Sequence, residues 1–328
     1  MGISWIILFI ISAIISGCNS KKDSLNVIFA GDLMLDRGTR HVIEVHGPDD
    51  LFGNVYHKLR SSDFTVANLE CVACDTACQP VDKRFTFRAN PEWLLSLYKN
   101  GITHVILANN HSCDFGDKGV KQTISNLIHV GITPIGASQN NDATSEPTII
   151  EKGKDSMAVF SSCFLKQKFR SVSSENVTCL SEKIMAFKAM HPSYIILVCL
   201  HWGIEMDVRP SSEQVEQAHE LIMAGADVII GHHPHVVQTI EFYKGKYIFY
   251  SLGNFIFDNQ HSRASRGILT DLFISKGRII SIQLIPFNIL KSKPFIMNIE
   301  ESETFRKEIN GISKTFELKQ KDGIWKVL

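Results

Sequence analysis

Residues 227–258 read DVIIGHHPHVVQTIEFYKGKYIFYSLGNFIFD. The stretch opens on Val228-Ile229-Ile230, an apolar run of the length and branching that fill a buried strand. The run stops at Gly231, and His232, His233 and His235 follow, with Pro234 between the last two. Proline fixes its own φ and moves the preceding residue out of the helical region, so His233 and His235 are expected on stiff, extended backbone. A polar loop with incidental histidines is the bland explanation. Two imidazoles two residues apart, just past a buried strand, favour a metal-binding pair instead.

The same pattern recurs upstream. Leu25–Ala30 is a strand that breaks at Gly31-Asp32, and Phe64–Leu69 is one that ends at Glu70. His104–Ala108 terminates in Asn109-Asn110-His111, and Tyr194–Leu200 in His201-Trp202-Gly203-Ile204-Glu205. Helices are expected over 50–60, over 118–130, after the Asn90-Pro91-Glu92 start signal, and after Ser211-Ser212 up to the stop at Gly225. Strand and helix alternate, which implies a largely parallel sheet. Residues 166–182 lack a pattern and read as a loop. Lys244-Gly245 and Lys276-Gly277 read as hairpin turns, and the tail after Asn288 is charged and weakly patterned.

In open α/β sheets, ligands bind beyond the carboxyl ends of the strands. Asp32 alone could be a turn former, Glu70 a solvated strand end, Asn110 a cap and His111 a surface histidine. Together with His201, His233 and His235 they form a set converging on one edge. Carboxylates, an amide oxygen and imidazoles without thiolate suit Mn, Fe or Zn. A carboxylate can bridge two ions about 3.5–4 Å apart, a pair that activates water. His111 adjoins a ligand candidate without being needed as one, which suits a general acid. Asp114 or Asp117 could hold its tautomer.

The chain has 328 residues, enough for one large domain or two smaller ones. It is 44% hydrophobic and 21% charged with zero net charge, so it carries no overall field that would recruit nucleic acid or acidic polymers, and the sequence shows no local basic patch. Trp5–Ile15 is almost wholly apolar but too short for a bilayer span with a stop-transfer flank, and it leads into Ile15-Ser16-Gly17-Cys18. Small residues before a cysteine resemble the lipobox of bacterial lipoproteins, although no Lys or Arg precedes the apolar run. Acylation at Cys18 is preferred to an uncleaved anchor; either way the body is exported and tethered to a membrane surface. Residues 1–18 are read as the signal peptide, 19–24 as a tether, 25–290 as the domain and 291–328 as a C-terminal extension. Outside the cytoplasm, two of Cys71, Cys74 and Cys78 could pair; a zinc or redox site there lacks a fourth ligand nearby.

A family resemblance rests on several motifs. These are Gly31-Asp32-Leu33-Met34-Leu35-Asp36-Arg37, Asn68-Leu69-Glu70, Phe85-Thr86-Phe87-Arg88 and Ala108-Asn109-Asn110-His111 with Asp114 and Gly116. His201-Trp202-Gly203-Ile204-Glu205, Gly231-His232-His233-Pro234-His235 with Gln238, and Ser251-Leu252-Gly253-Asn254-Phe255 complete the set. In this order, over roughly residues 25–290, they resemble the CapA/PgsA family of bacterial capsule-synthesis proteins linked to poly-γ-glutamate. That family is similar to calcineurin-like metallophosphoesterases, which implies an α/β fold, a four-layer α/β/β/α sandwich with two mixed sheets.

By the resemblance, Asp32, Glu70 and His235 would hold one divalent metal (Mn, Zn or Fe), and Glu70, Asn110, His201 and His233 a second. His111 would donate the proton, with Asp114 and Arg37 as catalytic partners. Arg88, Trp202, Glu205 and Asn254 would line the substrate cleft. The phosphoesterase D-x-H is replaced by Asp32-Leu33-Met34, and its bridging Asp by Glu70, so the number of ions stays open at one or two. The implied partners are poly-γ-glutamate or another anionic polymer and membrane synthase or export subunits. A plain extracytoplasmic phosphoesterase and a non-catalytic polymer-binding scaffold are the alternatives.

Overall fold

A computed structural model describes residues 24–140, 146–166, 169–258, 261–313, 315 and 317–327; the apolar leader and Cys18 lie outside the described residues. In chain order the first elements are β1 (Leu25–Leu33), α1 (Arg37–His46), α2 (Tyr56–Arg60), β2 (Phe64–Leu69), β3 (Val72–Ala73) and β4 (Arg88–Ala89). They are followed by α3 (Leu94–Lys99), β5 (His104–Ile106), α4 (Gly116–Val130), β6 (Thr133–Ile135), β7 (Thr148–Lys152) and β8 (Asp155–Cys163). Next come α5 (Val177–Met190), β9 (Ile195–His201), α6 (Ser212–Ala224), β10 (Val228–His232), β11 (Ile240–Tyr243) and β12 (Lys246–Phe249). The last are β13 (Asn254–Ile256), β14 (Arg266–Ser275), β15 (Arg278–Leu290), β16 (Lys293–Ile296), α7 (Ile299–Ile312), β17 (Lys319–Lys321) and β18 (Ile324–Lys326).

The strands form two large mixed sheets. One has the order β17-β18-β15-β14-β1-β2-β5-β6, with β13 beside β1 and β16 beside β15; the other runs β11-β12-β10-β9-β8-β7. The expected parallel pairing holds at their centres, where β1, β2, β5 and β6 run together, as do β8, β9, β10 and β12. The antiparallel strands are hairpin arms. Lys276 and Gly277 take φ of 54° and 67° in the turn between β14 and β15, and Lys244 and Gly245 take 48° and 81° between β11 and β12.

Alternation along the buried strands makes the layers. In β9, Ile195, Leu197 and Cys199 point into the core shared by the two sheets, whereas Ile196, Val198 and Leu200 pack beneath α5 and α6. Each such Leu or Ile stabilises the fold by about 1.5–3 kcal/mol relative to an exposed one. On the far side, Leu94, Leu97, Val120, Ile124 and Leu127 of α3 and α4 join the core of the first sheet. The result is the expected α/β/β/α sandwich.

Three local expectations change. The helix expected over 50–60 is split into a 3₁₀ turn at Pro48–Phe52 and the short α2. Gly53 separates them at φ 52°, where a Cβ would lie 2.0 Å from the Pro294 carbonyl oxygen. Residues 177–182, read as loop, open α5 under an Asn176 cap that accepts from the Cys179 N–H. The weakly patterned tail supplies β16, which pairs with β15, and β18, which pairs with β15 on its other reach. Those strands are too short to leave a clear signal, whereas the same tail also forms the full helix α7 under an Asn298 capping box.

Candidate metal and proton-transfer site

Register brings the strand ends together. Asp32 is paired with Asn68 on one side and Asn254 on the other, and His201 lies opposite His232. Glu70 follows β2 directly, and Asn109, Asn110 and His111 follow β5 by a few residues. All belong to parallel strands, so their carboxyl ends share one edge. Gly231 is needed within β10: a Cβ there would come 1.9 Å from the Tyr250 carbonyl oxygen. The histidine loop is not extended as expected. His233 and His235 adopt φ of 99° and 58°, a strained conformation for non-glycine residues that aims both rings at the carboxylates.

The resulting cluster is dense. His235 Nδ1 lies 3.1 Å from Asp32 Oδ2, and its Nε2 lies 3.8 Å from Glu70 Oε1. His201 Nε2 is 3.0 Å from Asn110 Oδ1 and 3.7 Å from Glu70 Oε1. Asn68 Nδ2 donates to Asp32 Oδ1 at 2.8 Å and stands 3.3 Å from His201 Nδ1. Two sets offer ligand atoms within 4.8 Å of one another: Glu70 with His233 and His235, and Asp32 with Glu70 and His201. Glu70 is common to both, as a bridging ligand would be. Asp32 thus lies with His201 as well as with His235, a tighter grouping than the family pattern implied.

Burial and mutual charge set the protonation of these residues. Burial would raise the Asp32 carboxyl, but hydrogen bonds to His232 and His235 and their charges hold it well below the usual range. Burial drives Glu70 well above its ordinary value, with the Asp32 and Glu205 charges pushing the same way against His235. Burial also pulls His233 down to about 4 and His201 well below the ordinary imidazole value. For His235, burial is overcome by the Glu70 and Asp32 charges, which raise it to about 9. Glu70 Oε2 and His233 Nδ1 are buried without a hydrogen-bond partner. Buried polar atoms left without a partner in this way are costly unless something satisfies them. Their chemistry, oxygen and imidazole nitrogen, fits a divalent transition metal.

Beside this cluster sits a proton-transfer pair. His111 Nδ1 is 2.8 Å from Asp114 Oδ2, which leaves Nε2 as the exchangeable ring nitrogen. Asp117 is engaged elsewhere, 2.6 Å from the Ser171 hydroxyl, so Asp114 is the orienting carboxylate. Asp114 is fully buried and also accepts from Lys83 Nζ at 2.7 Å and from the Phe87 N–H at 2.8 Å. Lys83 Nζ donates to the Asn110 carbonyl oxygen at 2.7 Å, and the Phe87 ring packs 4.5 Å from that of His111. Lys83 gave no sequence signal, whereas Asn68 and Asn109 stood inside quoted motifs. Asn109 Oδ1 accepts from the His111 N–H, and its Nδ2 donates to Asn68 Oδ1 at 3.0 Å.

The remaining expected residues divide. Arg37, at φ 59°, lies at the rim with its guanidinium 5.7 Å from the Phe87 ring and 5.4 Å from that of Phe257, and 3.3 Å from Asp258. Asn254 Oδ1 lies 3.0 Å from His235 Nδ1, and exposed Glu205 acts on His233 and His235 through its charge. Trp202 requires a correction, because it is not a cleft wall. It is 1% exposed in the core under α5 and α6, and its Nε1 donates to the Tyr250 carbonyl at 2.9 Å. Following His201 directly, it faces the opposite side of the sheet. Arg88 places its backbone N–H on Asp36 and its guanidinium 5.6 Å over Phe115. Cys71, Cys74 and Cys78 are buried free thiols; Cys74 and Cys78 are hydrogen-bonded neighbours, and Cys71 bonds to the Leu35 backbone.

Residues 26–259 match the family described as Bacterial capsule synthesis protein PGA_cap. The chain belongs to this family. It is 29% identical over 321 residues to the PGA biosynthesis protein CapA of Bacillus subtilis, covering 92% of this chain and 84% of that one. It is 28% identical over 310 residues to the capsule biosynthesis protein CapA of Bacillus anthracis, covering 90% and 75%. Among solved structures, a Mycoplasma pneumoniae protein titled a novel phosphatase superposes with a TM-score of 0.52 at 12% identity, over 81% of this chain and 94% of that one. That likeness establishes the metallophosphatase-type sandwich.

Proposed function

We propose that this PGA_cap protein acts outside the cytoplasm, lipid-anchored through Cys18, in making or releasing a poly-γ-glutamate-type capsule polymer by metal-dependent bond cleavage or transfer. The polymer is suggested by the names of its CapA relatives. The observation that carries the chemistry is the pair of ligand sets sharing Glu70, with unpartnered donors, beside the His111–Asp114 couple. Asp32, Glu70, Asn110, His201, His233 and His235 would hold one or two ions. When bound, a divalent ion there supplies Lewis acidity and makes water a nucleophile at neutral pH.

The protein's own groups do the rest. His111 gives its Nε2 proton to the departing group, and Asp114 keeps Nδ1 protonated and the ring oriented. Lys83 offsets the buried Asp114 charge. Arg37, held between two phenyl rings, presents a planar cation to a substrate carboxylate. The test is to purify the protein, measure bound metals by mass spectrometry, and assay chain-length change of poly-γ-glutamate beside a panel of phosphoesters. Polymer shortening or transfer that disappears in His111→Ala supports the reading. Turnover confined to phosphoesters replaces it with the phosphoesterase alternative, and metal-free protein with full capsule function overturns it.

A further inference from the structure

We infer that the end of the molecule opposite the site is a docking face for an anionic lipid bilayer, an inference that rests on the lipid-anchored reading above. The described chain begins at Ser24, whose carbonyl oxygen accepts from Lys152 Nζ at 3.1 Å. Lys152 closes β7, so the turn into β8 stands beside the point where the chain joins the fold. The turn between β14 and β15 stands there too. Leu25 is paired with Ile274, and the Gly277 N–H donates to Asp155 Oδ1 at 3.0 Å. Two turn tips therefore flank the amino end of β1.

Both tips are basic. Lys154, Lys276 and Arg278 are exposed on them, and exposed Arg60 lies three residues before Asp63, the ion-pair partner of Lys152. Among the described residues these four form no ion pair, whereas Lys152 is matched by Asp63 at 2.8 Å and Lys58 by Asp271 at 2.7 Å. The one exposed acid in these two turn segments is Glu151, which accepts from Ser156 and Tyr194. The whole chain is electrically neutral, so this local excess of cations is a property of one end.

Anchoring makes that excess consequential. Six residues, 19–24, separate Cys18 from β1, and an extended tether of that length reaches about 20 Å. An acylated Cys18 thus confines this end close to the headgroups. An anionic leaflet attracts a basic face once it is within about a Debye length, roughly 8–10 Å. β1 runs nine residues, about 30 Å, from this end to the Asp32 edge. Docking on the turns would hold the site away from lipid and open to a polymer.

The test uses the full chain, purified from membranes with its anchor and reconstituted on vesicles of phosphatidylcholine alone or with phosphatidylglycerol. An amine-reactive label is read lysine by lysine by mass spectrometry. Lys154 and Lys276 are expected to label several-fold more slowly on the anionic vesicles, with the difference lost at high salt. Lys291, just beyond the far end of β15, is expected to label equally on both. In Lys276→Glu/Arg278→Glu, Lys154 is expected to lose its protection. Equal labelling of Lys154 and Lys276 on the two lipids, with the N-terminal peptide showing acylated Cys18, overturns the docking face alone. An unmodified Cys18 overturns the anchored reading and the docking face with it.

Discussion

The amino end of a parallel strand in one sheet and the carboxyl ends of two in the other treat histidine differently. At the amino end of β5, His104 is buried, with burial pulling its pKa to about 4, and its Nδ1 lies 2.9 Å from the Thr103 hydroxyl. At the carboxyl ends, burial likewise pulls His233 to about 4 and His201 well down. The depressed basicity is shared and therefore says little about function. What differs is the company. His104 touches a hydroxyl and the Phe64 ring, whereas His201 and His233 stand among two buried carboxylates and an orphaned ligand atom. A histidine reads as a metal ligand when its neighbours leave charge and valence unsatisfied, not when its own pKa is low.

That contrast can be broken or sharpened by substitution. The largest effect is expected from His233→Ala or Glu70→Gln, which should abolish stoichiometric metal by mass spectrometry. Activity should fall about a thousandfold, because several kcal/mol of charge stabilisation goes with the ion. Next, Asp114→Asn should keep the metal yet lower turnover by about 10²–10⁴-fold, since His111 loses the carboxylate that holds its tautomer. Metal retention separates this outcome from the first. Smaller again, Lys83→Met should cost about tenfold in rate at unchanged metal content, because Asp114 keeps only part of its hydrogen-bond set.

The smallest functional effect is expected at the other end. His104→Leu should leave metal and turnover intact while altering acid stability. The folded pKa of about 4 lies below the ordinary 6.5, so the unfolded state binds the extra proton. Wild-type stability is therefore full above pH 6.5 and falls as pH drops towards 4, by about 3 kcal/mol from this group. The variant should lack that share of the fall, read as urea midpoints against pH. Loss of metal from His104→Leu would dissolve the comparison.

Most of the site was readable one strand at a time. An apolar run that ends on Asp32, Glu70, Asn110, His201 or His233 announces both the strand and the residue at its tip, because burial and desolvation act locally on each run. Adjacent positions also carried facing information: His201 and Trp202 must lie on opposite sides, which places Trp202 in the core. Lys83 carried no signal, and Phe87 stood in a quoted motif that did not say what it would touch. They lie in the irregular stretch between β3 and β4, where no periodicity marks which side chain will reach Asp114.

The sequence alone determined the alternating α/β character and the donor chemistry, since apolar run lengths and residue types are local properties, while motif order carried the family resemblance and, only through it, the four-layer sandwich. Tertiary structure decided that Asp114 rather than Asp117 orients His111, and that Glu70 is shared by two ligand sets. It also decided that His233 and His235 take strained positive φ and that Cys74 lies beside Cys78. The sharing of Glu70 and the capture of Asp117 by Ser171 depend on segments brought together only by folding, and the local pairs and loop angles depend on a backbone conformation that the surrounding packing selects. Pairings between residues far apart in the chain are fixed by packing, which no single stretch contains.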